Sequence, residues 1–369
     1  MTIGDPRWYK LAKLFCEATG IGLKDKVLIE AIDLDSLPLL IAIYQCAIEL
    51  GAISVDYIIS LTDMERILLE KGTVEQLNFS TRWELERMKE MDVYIAIRAR
   101  INGLVFNGIS PEAINAHRLV EKEVLDERVE NTRWCITRVP TDYDASLAEM
   151  STQEYVDYYF NAVLQDYELM KKRNSLLKDL MERTDHVRIK APGTNLEFSI
   201  KDVPAKSCHG VSNIPDGEVF TAPVCNSVNG TIHYNTSIIY DGKKYSGVFF
   251  IIKDGKIVEA NCDQGKNEIN ALLDVDEGGR YFGEFALGTN RGITRPACNT
   301  IFDEKIFGSF HLTPGQCYSD ASNGNNSAIH VDLVRILTPE YGGGTIYFDG
   351  VPTMVDGKFV HPELISLND

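Results

Sequence analysis

"GTIHYNTSIIYDGKKYSGVFFIIKDGKIVEANC", residues 230–262, marks the change of texture that divides this chain. Short runs of β-branched and aromatic residues alternate with polar ones, and Asp-Gly pairs at 241–242 and 254–255 interrupt them. That combination is the signature of antiparallel hairpins with tight turns. "HVRIKAPGTNLEFSIKD" (186–202) and "GTIYFDGVPTMVDGKFV" (344–360) have the same character. Residues 186–369 are therefore expected to form a mainly antiparallel β domain.

Working back toward the N-terminus, the pattern changes. "KVLIEAI" (26–32), "ISVDYIIS" (53–60), "VYIAIRA" (93–99) and "RWCITRVP" (133–140) read as short strands. Helical stretches separate them. Residues 34–52 offer Asp35 or Ser36 as an N-cap and Gly51 as a stop; 62–92 hold one or two helices; 110–131 open on Ser-Pro, a favoured helix start. Repeated β-α-β units predict a parallel sheet covered by helices. The amphipathic stretch 151–185, with a capping-box spacing at Ser151 and Glu154, closes this half and links it to the next. The expected fold is α/β plus β-rich: an N-terminal α/β domain over 1–185 and a β domain over 186–369.

The chain has 369 residues, 44% of them hydrophobic and 25% charged, which suits a globular protein of two domains. Its formal net charge of −17 disfavours nucleic acid and anionic membranes as partners. The longest apolar run, 37–50, is too short to span a bilayer and contains Gln45 and Glu49. The N-terminal stretch has no continuous apolar region of the export-signal kind. The eight cysteines are scattered without CxxC pairs and read as reduced thiols, so a cytoplasmic location is expected.

Chemistry concentrates in the second half. "SAIHVDLV" (327–334) places His330 and Asp332 on one face of a strand-like segment, with Ile329, Val331 and Leu333 on the other. The pair is either hydrogen-bonded or two ligands of one ion. "SFHLTPGQCY" (309–318) carries His311 and Tyr318; Glu218 follows a Pro-Asp-Gly turn; Glu284 lies among Phe282, Phe285, Ala286 and Leu287. A carboxylate in an apolar strand is costly unless paired or bound to metal. Each residue also has an ordinary reading: a core histidine, a packing tyrosine, or a Glu284 paired with Arg280, Arg291 or Arg295. Taken together, carboxylates and imidazoles suit zinc, cobalt, manganese or iron, and two ions sharing a carboxylate activate one water between them for hydrolysis. "YGGGT" (341–345) lacks the Lys-Ser/Thr of a phosphate loop, and neither GxSxG nor HExxH occurs. His233 stays unassigned; His186 and His361, near segment ends, read as solvated.

The ordered set "GEVFTAPVCNSVNG", "GEFALGTN", "NTIFDEKIFGSFHLTPGQCY" and "SAIHVDLV" resembles the aminopeptidase T / aminopeptidase S family of dinuclear metallo-aminopeptidases, through most of the second half. The resemblance implies that Glu218, Glu284, His311, Tyr318, His330 and Asp332 bind two divalent ions, zinc or cobalt, with manganese possible. It implies hydrolysis of the N-terminal peptide bond by a metal-bridging hydroxide. The resemblance further implies Glu284 and Tyr318 as catalytic candidates, a peptide with a free N-terminus as substrate, and a homodimer. The chain departs from the family in Cys225-Asn226, where an acidic pair is usual, in a shorter 311–330 loop and in overall length. Two other readings stay open. One is a mononuclear ferrous dioxygenase opening a dihydroxypyridine-type ring with His311, His330 and Asp332; the other is a binding protein with a relic site.

Overall fold

A computed structural model describes residues 4–240 and 242–369. Residues 1–3, part of the stretch read for an export signal, and Asp241 of the first Asp-Gly turn lie outside the described residues. Two compact units result: Met1–Leu164 with Gly210–Pro215, and Gln165–His209 with Asp216–Asp369. The division falls at 164/165, whereas 185/186 was expected, because the stretch 151–185 is two helices, Thr152–Val163 and Tyr167–Arg183. Asp166 caps the second through the Leu169 amide, so a new helix starts there. The first begins with the expected capping box of Ser151 and Glu154.

In the first unit the four strands β1 (Lys26–Ile32), β2 (Ser54–Ser60), β3 (Val93–Ala99) and β4 (Arg133–Val139) form one parallel sheet in the order β2-β1-β3-β4. β3 is buried at all positions but Arg98, and β1 is apolar except at Lys26 and Glu30, as suits strands covered on both faces. Residues 62–92 form two helices, Thr62–Lys71 and Val74–Met88, the second begun by a Thr73–Gln76 capping box. The expected cap at Asp35 or Ser36 is not made: Ser36 turns its hydroxyl to the carbonyl of Ile32.

The second unit carries a two-stranded antiparallel sheet, Ile238–Tyr240 against Lys243–Tyr245, and two large ones. The larger has eight strands, in the order Lys256–Asn261, Phe249–Lys253, Asn229–His233, Thr194–Ser199, His186–Ala191, Thr345–Phe348, Val351–Val355, Lys358–Phe359. Asp254 (φ 49°) and Gly255 (φ 83°) make the predicted hairpin turn with both residues left-handed. A Cβ on Gly255 would stand 1.9 Å from the carbonyl oxygen of Cys225, so this position requires glycine. The smaller sheet runs Val334–Ile336, Ser309–Pro314, Phe282–Gly288, Glu218–Thr221, Lys206–Cys208.

Phe285 and Leu287 of the central strand, with Phe310 and Leu312 beside them, join the main core that also holds Phe198, Ile232 and Phe250. The Phe285 ring meets Phe198 at 4.9 Å and is fully buried. Phe285→Ala is expected to destabilise the second unit by about 3–5 kcal/mol, the range for truncating a core aromatic. Urea unfolding followed by tryptophan-independent far-UV dichroism measures it.

Candidate metal centre

Antiparallel partners point to the same face of a sheet. Gly288 faces Glu218, Ala286 faces His311, and Glu284 faces Thr313. Glu284, Ala286 and Gly288 share one face of their strand, so Glu218, Glu284 and His311 project together, opposite the phenylalanine core. A bulge between Phe282 and Glu284 precedes the acid.

His330 and Asp332 reach this face in a way the sequence did not predict. Residues 329–333 are not a regular strand: His330 makes one isolated bridge to Gly315, and the strand begins only at Val334. The segment is nonetheless extended and tied down, by Val331 N–H to the Pro314 carbonyl (3.2 Å) and Gln316 N–H to that of Ile329 (2.7 Å). Ile329, Val331 and Leu333 are buried in the core while His330 and Asp332 turn the other way. The alternation holds; the ladder does not.

The side chains make a continuous chain of close approaches. His311 Nε2 lies 3.5 Å from Glu218 Oε2 and 3.3 Å from Glu284 Oε1. His330 Nε2 lies 3.1 Å from both Glu284 Oε2 and Asp332 Oδ1. Glu218, Glu284 and His311 form one group of donor atoms within 4.8 Å of one another, and Glu284, His330 and Asp332 a second; Glu284 belongs to both. Two ligand atoms on a tetrahedral ion at metal–ligand distances near 2.1 Å are about 3.4 Å apart, so these spacings match shared coordination.

The hydrogen-bond inventory makes the same point. His330 Nδ1 stands 2.7 Å from the Gln316 carbonyl, which only accepts, so Nδ1 carries a proton. Nε2 of the neutral ring is then a lone pair facing two carboxylates. It is buried and has no hydrogen-bond partner, and neither has Glu218 Oε2. With protein groups alone, protons must take the place of a cation. Burial opposes charging His330, but Asp332 and Glu284 outweigh it and raise its pKa to about 12. Burial likewise opposes charge on His311, yet Glu284 and Glu218 raise it to about 9. Burial pushes Glu218 up to about 7 despite Lys305 and His311. A divalent cation replaces those protons and answers the carboxylates directly, so the donor set fits a metal. Outer contacts hold the donors: Thr313 Oγ1 donates to Asp332 Oδ1 at 2.8 Å, and the Gln316 carbonyl orients His330.

Tyr318 is placed differently. Its ring packs edge-on against His330 at 5.0 Å and tilted against Phe220 at 5.2 Å, and the residue is half exposed. Glu284 is paired with imidazoles, and two of the arginines weighed for it are engaged elsewhere: Arg280 with Asp274 at 2.9 Å, and Arg291 over the Phe307 ring. Cys317 donates to the Asn325 carbonyl as a packing thiol.

Two residues at the site went unmarked in the sequence reading. Lys305, with a side chain 1% exposed, places Nζ 3.5 Å from Glu218 Oε1 and in contact with Glu304. Burial opposes its charge, but Glu218, Glu304 and Asp216 hold its pKa well above the usual lysine value. The available signal was a charged Glu-Lys pair inside the apolar run "TIFDEKIF" (300–307).

A face of buried carboxylates and imidazoles at ligand spacing, on a rigid antiparallel sheet, defines a metal-dependent enzyme. The model of the thermophilic metalloprotease (M29) family matches residues 5–359. Aminopeptidase 2 of Geobacillus stearothermophilus is 28% identical over 269 residues, which is 61% of this chain and 62% of that protein. Aminopeptidase PepS of Streptococcus thermophilus is 25% identical over 89% of this chain and 92% of its own. Among solved structures, wild-type AmpT from Thermus thermophilus superposes with a TM-score of 0.77 at 23% identity, over 95% of this chain and 99% of that one. The 2,5-dihydroxypyridine dioxygenase of Pseudomonas putida shares the fold at a TM-score of 0.62 and 12% identity, over 97% and 98%. The chain belongs to the thermophilic metalloprotease (M29) family. Among the described residues no helix is long and apolar enough to cross a membrane.

Proposed function

We propose that the protein is an aminopeptidase that works with two divalent ions, zinc or cobalt, held by Glu218, Glu284, His311, His330 and Asp332. The observation that carries this is the pair of donor groups sharing Glu284 on one sheet face. Bound there, the ions would supply an acidified water and polarise the carbonyl of the scissile bond. The chain's own groups do the rest. Glu284 faces both imidazoles and keeps the two donor groups in one register. A carboxylate of the set accepts the proton from water and returns it to the leaving amine, so the peptide bond breaks with a net uptake of one water. Tyr318, beside His330, donates its hydroxyl to the developing oxyanion or ligates an ion. The free α-amine of the peptide binds among the acids, which confines attack to the first bond. The enzyme is a cytoplasmic homodimer, and gel filtration with light scattering measures that state.

Unblocked di- to tetrapeptides are expected to release their first residue, and N-acetylated versions of the same peptides are expected to be inert. Mass spectrometry of the products checks this; cleavage of the blocked peptides at equal rate would remove the aminopeptidase reading. The ferrous dioxygenase alternative uses only His311, His330 and Asp332. It gives no ligand role to Glu218 and Glu284, two buried carboxylates that stand at ligand spacing from the same imidazoles. Oxygen uptake with a single iron per chain is the result that would favour it.

A further inference from the structure

Lys305 is a buried charge that the hydrolytic scheme does not use. Its ammonium lies 3.5 Å from Glu218 Oε1, while Glu218 Oε2 points at His311 Nε2 from the same distance. The two oxygens of one carboxylate are thus divided between an internal cation and the candidate metal group. Glu304 touches the same ammonium, so the lysine has a counterion of its own besides Glu218.

The segment that presents Lys305 is tied at several points. Asp303 accepts from the amides of Ala297 (2.7 Å) and Asn299 (3.1 Å), closing the loop before it. Phe302 and Ile306 on either side are buried. The Lys305 carbonyl accepts from Asn290 N–H at 3.1 Å, and Thr289 N–H donates to the Gly217 carbonyl at 2.9 Å. The lysine and Glu218 are therefore anchored to the same stretch of chain just past the Glu284 strand.

We propose that Lys305 is a positioning residue for the metal centre: it fixes the carboxylate plane of Glu218 so that Oε2 stands ready for an ion. This rests on the metal reading above. A glutamate side chain otherwise loses appreciable rotamer entropy when it takes up a ligand. Groups that orient a ligand from outside typically change metal affinity 10- to 100-fold when removed.

Cobalt(II) titration of the metal-free protein, followed by calorimetry and by the visible absorption of the bound ion, tests the role. Glu304→Gln keeps the ammonium on Glu218 and is expected to stay within about 3-fold of wild-type affinity, well inside the outer-ligand range. Glu304→Gln/Lys305→Met removes the ammonium together with the Glu304 charge beside it, and leaves Glu218 Oε1 without its cation. It is expected to bind cobalt about 10- to 100-fold more weakly, with an altered absorption band. Thermal unfolding of the metal-free proteins shows whether the double variant is folded; Lys305→Gln in the same background replaces it if it is not. Equal cobalt affinity and equal spectra in the folded double variant and in Glu304→Gln overturn the role of Lys305 and leave the metal centre standing. No cobalt uptake by the wild type overturns the metal centre and the role of Lys305 with it.

Discussion

Glu284→Gln is expected to lose at least about 1000-fold in kcat/KM on an unblocked peptide, because removing Lewis-acid stabilisation worth several kcal/mol costs a factor of ten per 1.36 kcal/mol. The substitution changes almost no volume. It removes the one negative charge common to both donor groups, facing His311 Nε2 at 3.3 Å and His330 Nε2 at 3.1 Å. A carboxamide oxygen is a weaker ligand than a carboxylate, so metal content is also expected to fall below two per chain. Glu284 is 3% exposed and its strand is held on both sides, so the fold has no reason to change. The thermal midpoints of the metal-free wild type and variant are expected to agree within about 4 °C, since a 1 kcal/mol change moves a unit of this size by roughly that much. Peptide hydrolysis at wild-type rate by Glu284→Gln would falsify the ligand assignment.

Exhaustive chelation is the second large effect. It is expected to abolish hydrolysis and to lower the unfolding midpoint of the second unit, with both restored by zinc or cobalt. At free metal about 1000 times its dissociation constant, each site contributes about 4 kcal/mol of stability. Two such sites imply a drop of on the order of 15–30 °C in a unit of about 200 residues. The structural cause is the crowding of Glu218, Glu284 and Asp332 on one buried face, where only imidazole protons and Lys305 offset them among the described residues. Differential scanning calorimetry with and without chelator, alongside elemental analysis, measures both quantities. A midpoint and an activity indifferent to chelator exclude a structural and catalytic metal together; one iron and oxygen uptake point to the ring-cleaving alternative.

Much of this molecule is written in local pattern. The near-continuous apolar runs of β1 and β3 identify strands covered on both faces, and they pair in parallel. Asp254-Gly255 turns where its residue types allow two positive φ angles. Ser151 and Glu154 form the capping box of the helix that begins at Thr152. Alternation across 329–333 separates His330 and Asp332 from their apolar neighbours even though the ladder there is broken. Where the expected local pattern failed, a competing local hydrogen bond had decided. Ser36 serves a carbonyl on β1 instead of capping its helix, and the stretch 151–185 breaks at Asp166.

The amino-acid sequence by itself determined the two textures of fold, the presence of two glutamates in apolar strands, and the spacing that sets His330 and Asp332 on one side. Those depend on periodicity and on the cost of burying a charge, which are properties of neighbouring residues. The tertiary structure alone decided that Glu284 stands between both imidazoles, that Tyr318 lies against His330 with its ring, and that Lys305 holds the far oxygen of Glu218. These depend on strand register between segments tens of residues apart. A one-residue slip of the His311 strand against Glu284 would preserve every local pattern and turn the histidine into the phenylalanine core.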